Sequence, residues 1–238
     1  MIPIANLHIA DVIDRHVFTV TADCTIAAMV ERLKSEHISH VVIVDGYRPI
    51  GMLTERDLVS LLHRKVDRNL PVSECMSKPV ATVSGAMGFR SAYIQLCLSR
   101  LRHLVVVDNY GVVIGVAAER DFLGHLGMEL FQNVRSLRDL IDRQVPVLSS
   151  DLPVGEAINL MVREKRGCVL ASESGKFLGI FTEDQIPSVL ARYENGSPVT
   201  LGEVMRDTIL PVTETVSVAE IMAQLVKDRI NYVVVVDA

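Results

Sequence analysis

Gly51-Met-Leu-Thr-Glu-Arg-Asp57 returns 64 residues later as Gly115-Val-Ala-Ala-Glu-Arg-Asp121, and after 64 more as Gly179-Ile-Phe-Thr-Glu-Asp-Gln185. A fixed period of this kind makes each copy one supersecondary unit that buries its apolar face against its neighbours. A second series keeps the same count. Asp11-Val-Ile-Asp-Arg15, Glu74-Cys-Met-Ser-Lys78, Asp139-Leu-Ile-Asp-Arg143 and Glu203-Val-Met-Arg-Asp207 align on Ile13, Met76, Ile141 and Met205, which are 63, 65 and 64 residues apart. Two registers with one period predict four copies, at 7–66, 70–127, 135–194 and 199–238, the last cut short before its heptad.

Periodicity changes in a fixed order within a copy. Val17 to Val20 is a short β-rich run, and Ile26, Met29, Val30 and Leu33 then mark one face of a helix. His40 to Val44 is a continuous apolar strand, Asp45-Gly46 with Pro49 makes a turn, and Ile50 to Leu53 returns as a strand. Thr54 then caps a helix carrying Leu58, Val59, Leu61 and Leu62. The order is β-α-β-β-α. The third copy repeats it with Val154, Ala157, Ile158 and Met161, then Cys168 to Ala171 and Phe177 to Phe181; Ser149-Ser150-Asp151 is expected as its first N-cap region. The fourth shows Val218, Ile221, Met222 and Leu225, then Tyr232 to Val236. The fold class is mixed α/β (α+β), with four units grouped in pairs as two domains.

Composition bounds the function. The 238 residues are 49% hydrophobic with no tryptophan, so Val, Ile, Leu and Met build the core, and Met29, Met161 and Met222 read as core filling. Apolar strands without alternation, such as Leu104 to Val107, imply sheets covered on both faces. A formal charge of −5 and the lack of a basic-aromatic stripe argue against nucleic acid. No apolar run suits a membrane span, and Met1-Ile-Pro-Ile-Ala-Asn6 lacks the basic region of a secretion signal, so a cytoplasmic protein is expected. Cys24, Cys75, Cys97 and Cys168 have no paired spacing and read as reduced core residues. All seven histidines precede Leu126; His37 and His40 straddle a helix-to-strand junction without a carboxylate or cysteine cluster, which argues against a metal.

The heptad is the candidate ligand site. Gly51 lets another group approach the strand, and the helix that follows opens with unpaired N–H groups and a positive dipole end. Thr54 adds a hydroxyl, Arg56 a permanent cation for phosphate oxygens, and Asp57 a carboxylate for a ribose diol. The same Thr54-x-x-Asp57 spacing also fits a capping box that serves only the helix. His40 and His103 hold equivalent places before the apolar strands and could face a cleft. No nucleophile-base set, P-loop or dinucleotide fingerprint is present, so catalysis is not expected.

The recurring heptad, the hairpin before it and the unit of about 64 residues resemble the cystathionine-β-synthase (CBS) domain, over nearly the whole chain. The resemblance implies pairing of units into Bateman modules with adenine nucleotides or related ligands bound between copies. Gly51, Thr54 and Asp57 match the family pattern fully. The second copy keeps Gly115, Arg120 and Asp121 but has Ala118 at the hydroxyl place; the third keeps Gly179 and Thr182 but has Gln185 at the acid place. Binding is therefore expected in the first module. The resemblance implies a sensor of AMP, ADP, ATP or S-adenosylmethionine, with no required cofactor, that signals to an attached downstream domain, as in bacterial GGDEF-type cyclases or sensor kinases. The rivals are a scaffold for dimerisation with decayed sites, and an enzyme completed at an oligomer interface. A homodimer is expected, because apolar helix faces and the linker Gly127 to Phe131 need covering surface.

Overall fold

The computed structural model describes residues 6–36, 38–99, 101–126, 137–193, 199–207, 211–228 and 230–236. The first unit comprises β1 (Thr19–Thr21), α1 (Ile26–Ser35), β2 (His40–Asp45), β3 (Arg48–Thr54) and α2 (Glu55–His63). The second comprises β4 (Thr82–Ser84), α3 (Phe89–Leu98), β5 (His103–Val107), β6 (Val113–Ala118) and α4 (Glu119–Leu126). The third comprises β7 (Val147–Ser149), α5 (Val154–Glu164), β8 (Cys168–Glu173), β9 (Lys176–Thr182), a 3-10 turn at Glu183–Gln185 and α6 (Ile186–Tyr193). After these come α7 (Leu201–Val204), β10 (Val212–Thr213), α8 (Val218–Asp228) and β11 (Val235–Val236).

Each three-stranded sheet has its strands in chain order. The first two strands are parallel across their helix, and the second and third form an antiparallel hairpin. Gly46 turns the first hairpin at φ +60°, a conformation that costs glycine nothing. Val41, Val42 and Ile43 are fully buried because β2 is covered on both sides. Val41 and Ile43 join the helices α1 and α2, whereas Val42 and Val44 meet Val105 and Val116 of the second unit. Sheets of the first two units thus pack face to face. Cys168 and Ile180 meet Val234 in the corresponding place of the second half.

The two sequence registers meet in space. A Cβ on Gly51 would lie 2.2 Å from Met76 Sδ, one on Gly115 2.3 Å from Ile13 Cδ1, and one on Gly179 2.4 Å from the Arg206 carbonyl oxygen. Gly51 and Gly115 therefore admit the segments that lead into each other's units, and Gly179 admits the segment at Met205 and Arg206. Backbone bridges Met52–Ser77, Asp14–Val116 and Ile180–Arg206 fix these crossings.

Helices close the second interface. Met29, Leu33 and Leu58 share one core with Val154, Ile158 and Leu190, so the first and third units bury their helical faces against each other. Full burial of each such side chain contributes about 1.5–3 kcal/mol. For α1 and α2 the covering expected from a second chain is supplied by the third unit of the same chain. Gly127 to Phe131, also invoked for that purpose, lies outside the described residues, as does His37.

Local expectations need three corrections. The first helix of the third unit starts at Val154 behind Pro153, so Ser149-Ser150-Asp151 lies ahead of its cap, with Ser149 ending β7. Cys97 is exposed and Cys24 and Cys75 are half-buried; of the four free thiols only Cys168 is a buried residue. Cys97 lies on α3, where Ile94 and Leu98 are also exposed, at 55% and 81%. The strand expected over Tyr232 to Val236 is confined to Val235–Val236, paired in parallel with β10.

Candidate functional site

A single hydrogen bond recurs at the start of each unit's second helix. The N–H groups of Glu55, Glu119 and Glu183 donate to the carbonyls of Ser39, Arg102 and Gly167, at 3.1, 2.9 and 3.0 Å. Each carbonyl belongs to the residue just before the unit's central strand. This pins three quasi-equivalent glutamates at helix starts, where the dipole favours acids. All three line one cavity of about 290 Å³, together with Arg56, Arg102 and Arg120. Ser39, His103 and Ala118 complete the wall from the first two units, and Leu225, Asn231 and Tyr232 reach it from the last segment.

Charge in this cavity is densely arranged. Glu183 is buried, with its side chain 4% exposed, and its carboxylate accepts from Arg56 Nε at 3.3 Å and from Arg102 Nη1. Burial, reinforced by Asp184 and Glu183, pushes the Glu55 carboxyl up to about 8. The rings of His40 and His103 lie 4.7 Å apart. Burial first, then the Arg120 cation, lowers His40 to about 4. Burial, His40 and three arginines likewise hold His103 well below the usual imidazole range. Both imidazoles are therefore neutral near pH 7, and the fixed positive charge comes from guanidiniums. Guanidinium forks match the oxygens of carboxylates and phosphates. Tyr232 is raised by burial and by Glu183, which keeps its phenol protonated.

The structure divides the sequence-derived residues into two sets. Arg56, His103 and Arg120 line the cavity, and His40 touches it through His103. Thr54 and Asp57 form the capping box, with Thr54 N and Oγ1 donating to Asp57 Oδ2 at 2.8 and 2.7 Å. Asp57 Oδ1 accepts from Ser77 Oγ at 3.4 Å. Asp121 likewise accepts from Ala118 N at 2.8 Å, and burial raises its carboxyl. Thr182 is buried, with its N–H on Gln185 Oε1 at 2.9 Å and its hydroxyl on Asp184. Gly51 and Gly115 serve the crossing segments. The N–H groups of Thr54, Ala118 and Thr182 and of the glutamates that follow them are thus used internally, and the arginines beside them supply the cations that draw an anion.

Glu55, Arg102, Glu183 and Tyr232 were not anticipated from sequence. One signal was present for the first and third: glutamate holds the fifth heptad place in all three copies. Arg102 and Tyr232 lie outside the heptad and join it only through the fold.

Among the described residues no group of three potential metal ligands occurs, and no helix is long and apolar enough to cross a membrane. The CBS domain model matches residues 9–64, 72–127 and 137–192; residues 199–238 lie outside the matched ranges. Protein MJ1225 from Methanocaldococcus jannaschii has a solved structure that aligns with TM-score 0.84 and 18% identity, covering 97% of this chain and 93% of its own. Protein MK0525 of Methanopyrus kandleri is 31% identical over 121 residues, 50% of this chain and 62% of its own length. A 17.7 kDa protein of Acidianus ambivalens is 28% identical over 106 residues, 44% of this chain; the match spans 64% of that relative's length. With three matched stretches, at the period read from the heptads, the chain belongs to the CBS domain family.

Proposed function

We propose that the protein is a regulatory module that binds an adenosine-type nucleotide and works by binding, without catalysis. The observation that carries this reading is the cavity of about 290 Å³ in which arginines from two units surround a junction with the third. Phosphate oxygens of AMP, ADP or ATP suit Arg56, Arg102 and Arg120. Asp57 lies next to the cavity-lining Arg56 without itself lining the cavity, and its Oδ1, which accepts from Ser77 Oγ at 3.4 Å, is the candidate for a ribose diol beyond the cavity wall. S-adenosylmethionine, with an adenosine but no phosphate, would use the ribose contact alone.

In the same reading, residues 199–238 form the first half of a fourth unit, and the four units pair as two modules. The parallel β10–β11 pair flanking α8 supports this, because it matches β1–α1–β2. Signalling passes to an attached output domain of a cytoplasmic signal-transduction protein, of cyclase or kinase type. Self-association as a homodimer would use α3, where Ile94 and Leu98 are exposed.

A second reading, a scaffold with decayed sites, is favoured by one observation: Thr54 and Asp57 satisfy each other as a cap. Calorimetry of the intact chain with AMP, ADP, ATP and S-adenosylmethionine separates the two. Saturable heat with a nucleotide, weakened in Asp57→Ala, supports the sensor; no heat with any of the four supports the scaffold.

A further inference from the structure

The carboxylate of Glu183 stands where an incoming anion would be drawn. It projects from the third unit, yet it takes a guanidinium from the first, Arg56, and one from the second, Arg102. In the pair with Arg102 the acid is withdrawn from water and the base is partly so, with side-chain exposures of 4% and 29%. Its position is fixed by the 3.0 Å bond from its N–H to Gly167. Gly167 in turn leaves room for Tyr232: a Cβ there would lie 2.0 Å from the Tyr232 hydroxyl and 3.3 Å from Glu183 Cδ. Four segments of the chain therefore meet around one carboxylate.

Carboxylate and phosphate oxygens compete for the same guanidinium donors. We propose that Glu183 is a built-in counter-ion: it holds the donors of Arg56 and Arg102 that a ligand phosphate uses, and so sets how tightly the cavity binds. The inference rests on the phosphate reading of the cavity given above. Entry of a phosphate exchanges an intramolecular ion pair for an intermolecular one, so affinity is reduced by the cost of releasing Glu183. That release also removes the ion pairs that tie the third unit to the first two at this point, while the shared apolar core stays in place. Ligand charge, rather than adenosine alone, is then what loosens the junction.

Glu183→Gln keeps the side-chain shape and removes the competing charge. Wild type and variant, each checked for an intact melting transition, are titrated calorimetrically with AMP and separately with inorganic phosphate. The variant is expected to bind AMP about tenfold more tightly, a change of about 1.4 kcal/mol. Adding Arg102→Gln to it should remove the gain. If wild type binds AMP and the variant binds equally or less well, the counter-ion role is overturned while the nucleotide reading stands. If AMP binds neither protein but inorganic phosphate binds the variant and not wild type, the counter-ion role stands and the nucleotide reading falls. If neither ligand binds either protein, both fall. Should Glu183→Gln not fold, Glu183→Asp withdraws the carboxylate by one methylene and carries the same expectation with a smaller gain.

Discussion

Gly179→Ala places a methyl group where the fold leaves no space. The added carbon would lie 2.4 Å from the Arg206 carbonyl oxygen and 3.1 Å from its carbon, and these backbone atoms cannot rotate away as a side chain would. Relief requires the crossing segment to lift from β9. That breaks the reciprocal pair Ile180 N to Arg206 O, at 3.0 Å, and Arg206 N to Ile180 O, at 2.8 Å. Two lost hydrogen bonds cost about 1 kcal/mol each, and overpacking adds about 1–3 kcal/mol. The expected destabilisation is therefore about 3–5 kcal/mol, or roughly 6–20 °C in melting temperature at this chain length. Thermal unfolding followed by circular dichroism reads it. Gly51→Ala is the internal comparison, since its methyl meets Met76 Sδ at 2.2 Å, the far end of a flexible side chain. That variant should lose less, and Met76→Ala should restore part of the loss. A Gly179→Ala protein melting within about 1 °C of wild type would refute the close-approach argument.

Three further outcomes follow from burial and charge. The Glu55 carboxyl is raised from 4.5 to about 8, so the folded state holds a proton that the unfolded state has released across that window. Stability should then fall as pH rises from about 4.5 toward 8, at up to about 1.4 kcal/mol per pH unit, and Glu55→Gln should remove this dependence. Identical pH profiles for the two proteins would exclude it. His40 is lowered from 6.5 to about 4, so its stabilising contribution is complete above pH 6.5 and is lost as pH falls toward 4. Its ring proton resonances should hold steady between pH 8 and 6, and a titration midpoint near 6.5 would contradict the buried, arginine-flanked setting. Finally, Leu98 is 81% exposed, so Leu98→Glu should change folding stability by no more than about 0.5 kcal/mol. If dimers form through α3, the same change should raise the monomer fraction in sedimentation; unchanged sedimentation of a dimeric protein would place the interface elsewhere.

Sequence periodicity disclosed the unit order and the buried faces because both follow from local rules. Ile26, Met29, Val30 and Leu33 are all buried, as their helical spacing requires. The unbroken run of β2 correctly announced coverage on both faces. Pairings between units were harder to read. That Gly51 meets Met76 and Gly115 meets Ile13 links the two sequence registers, yet nothing local shows that each leading segment crosses to its partner unit. Arg56, Arg120 and His103, which line the cavity, are legible as candidates from charge and position. Arg102 was not, because its guanidinium acquires meaning only when Glu183, from another unit, is placed against it. The covering of α1 and α2 by the third unit was similarly hidden, and apolar helix faces then read as surface for a second chain.

Isothermal titration of the intact chain with AMP, repeated on Arg102→Ala, bears most directly on the arginine-lined cavity as the receptor. Saturable binding in wild type that weakens at least tenfold in a folded Arg102→Ala variant is the predicted result. Wild-type affinity retained in that variant would contradict it and remove the phosphate from this cavity.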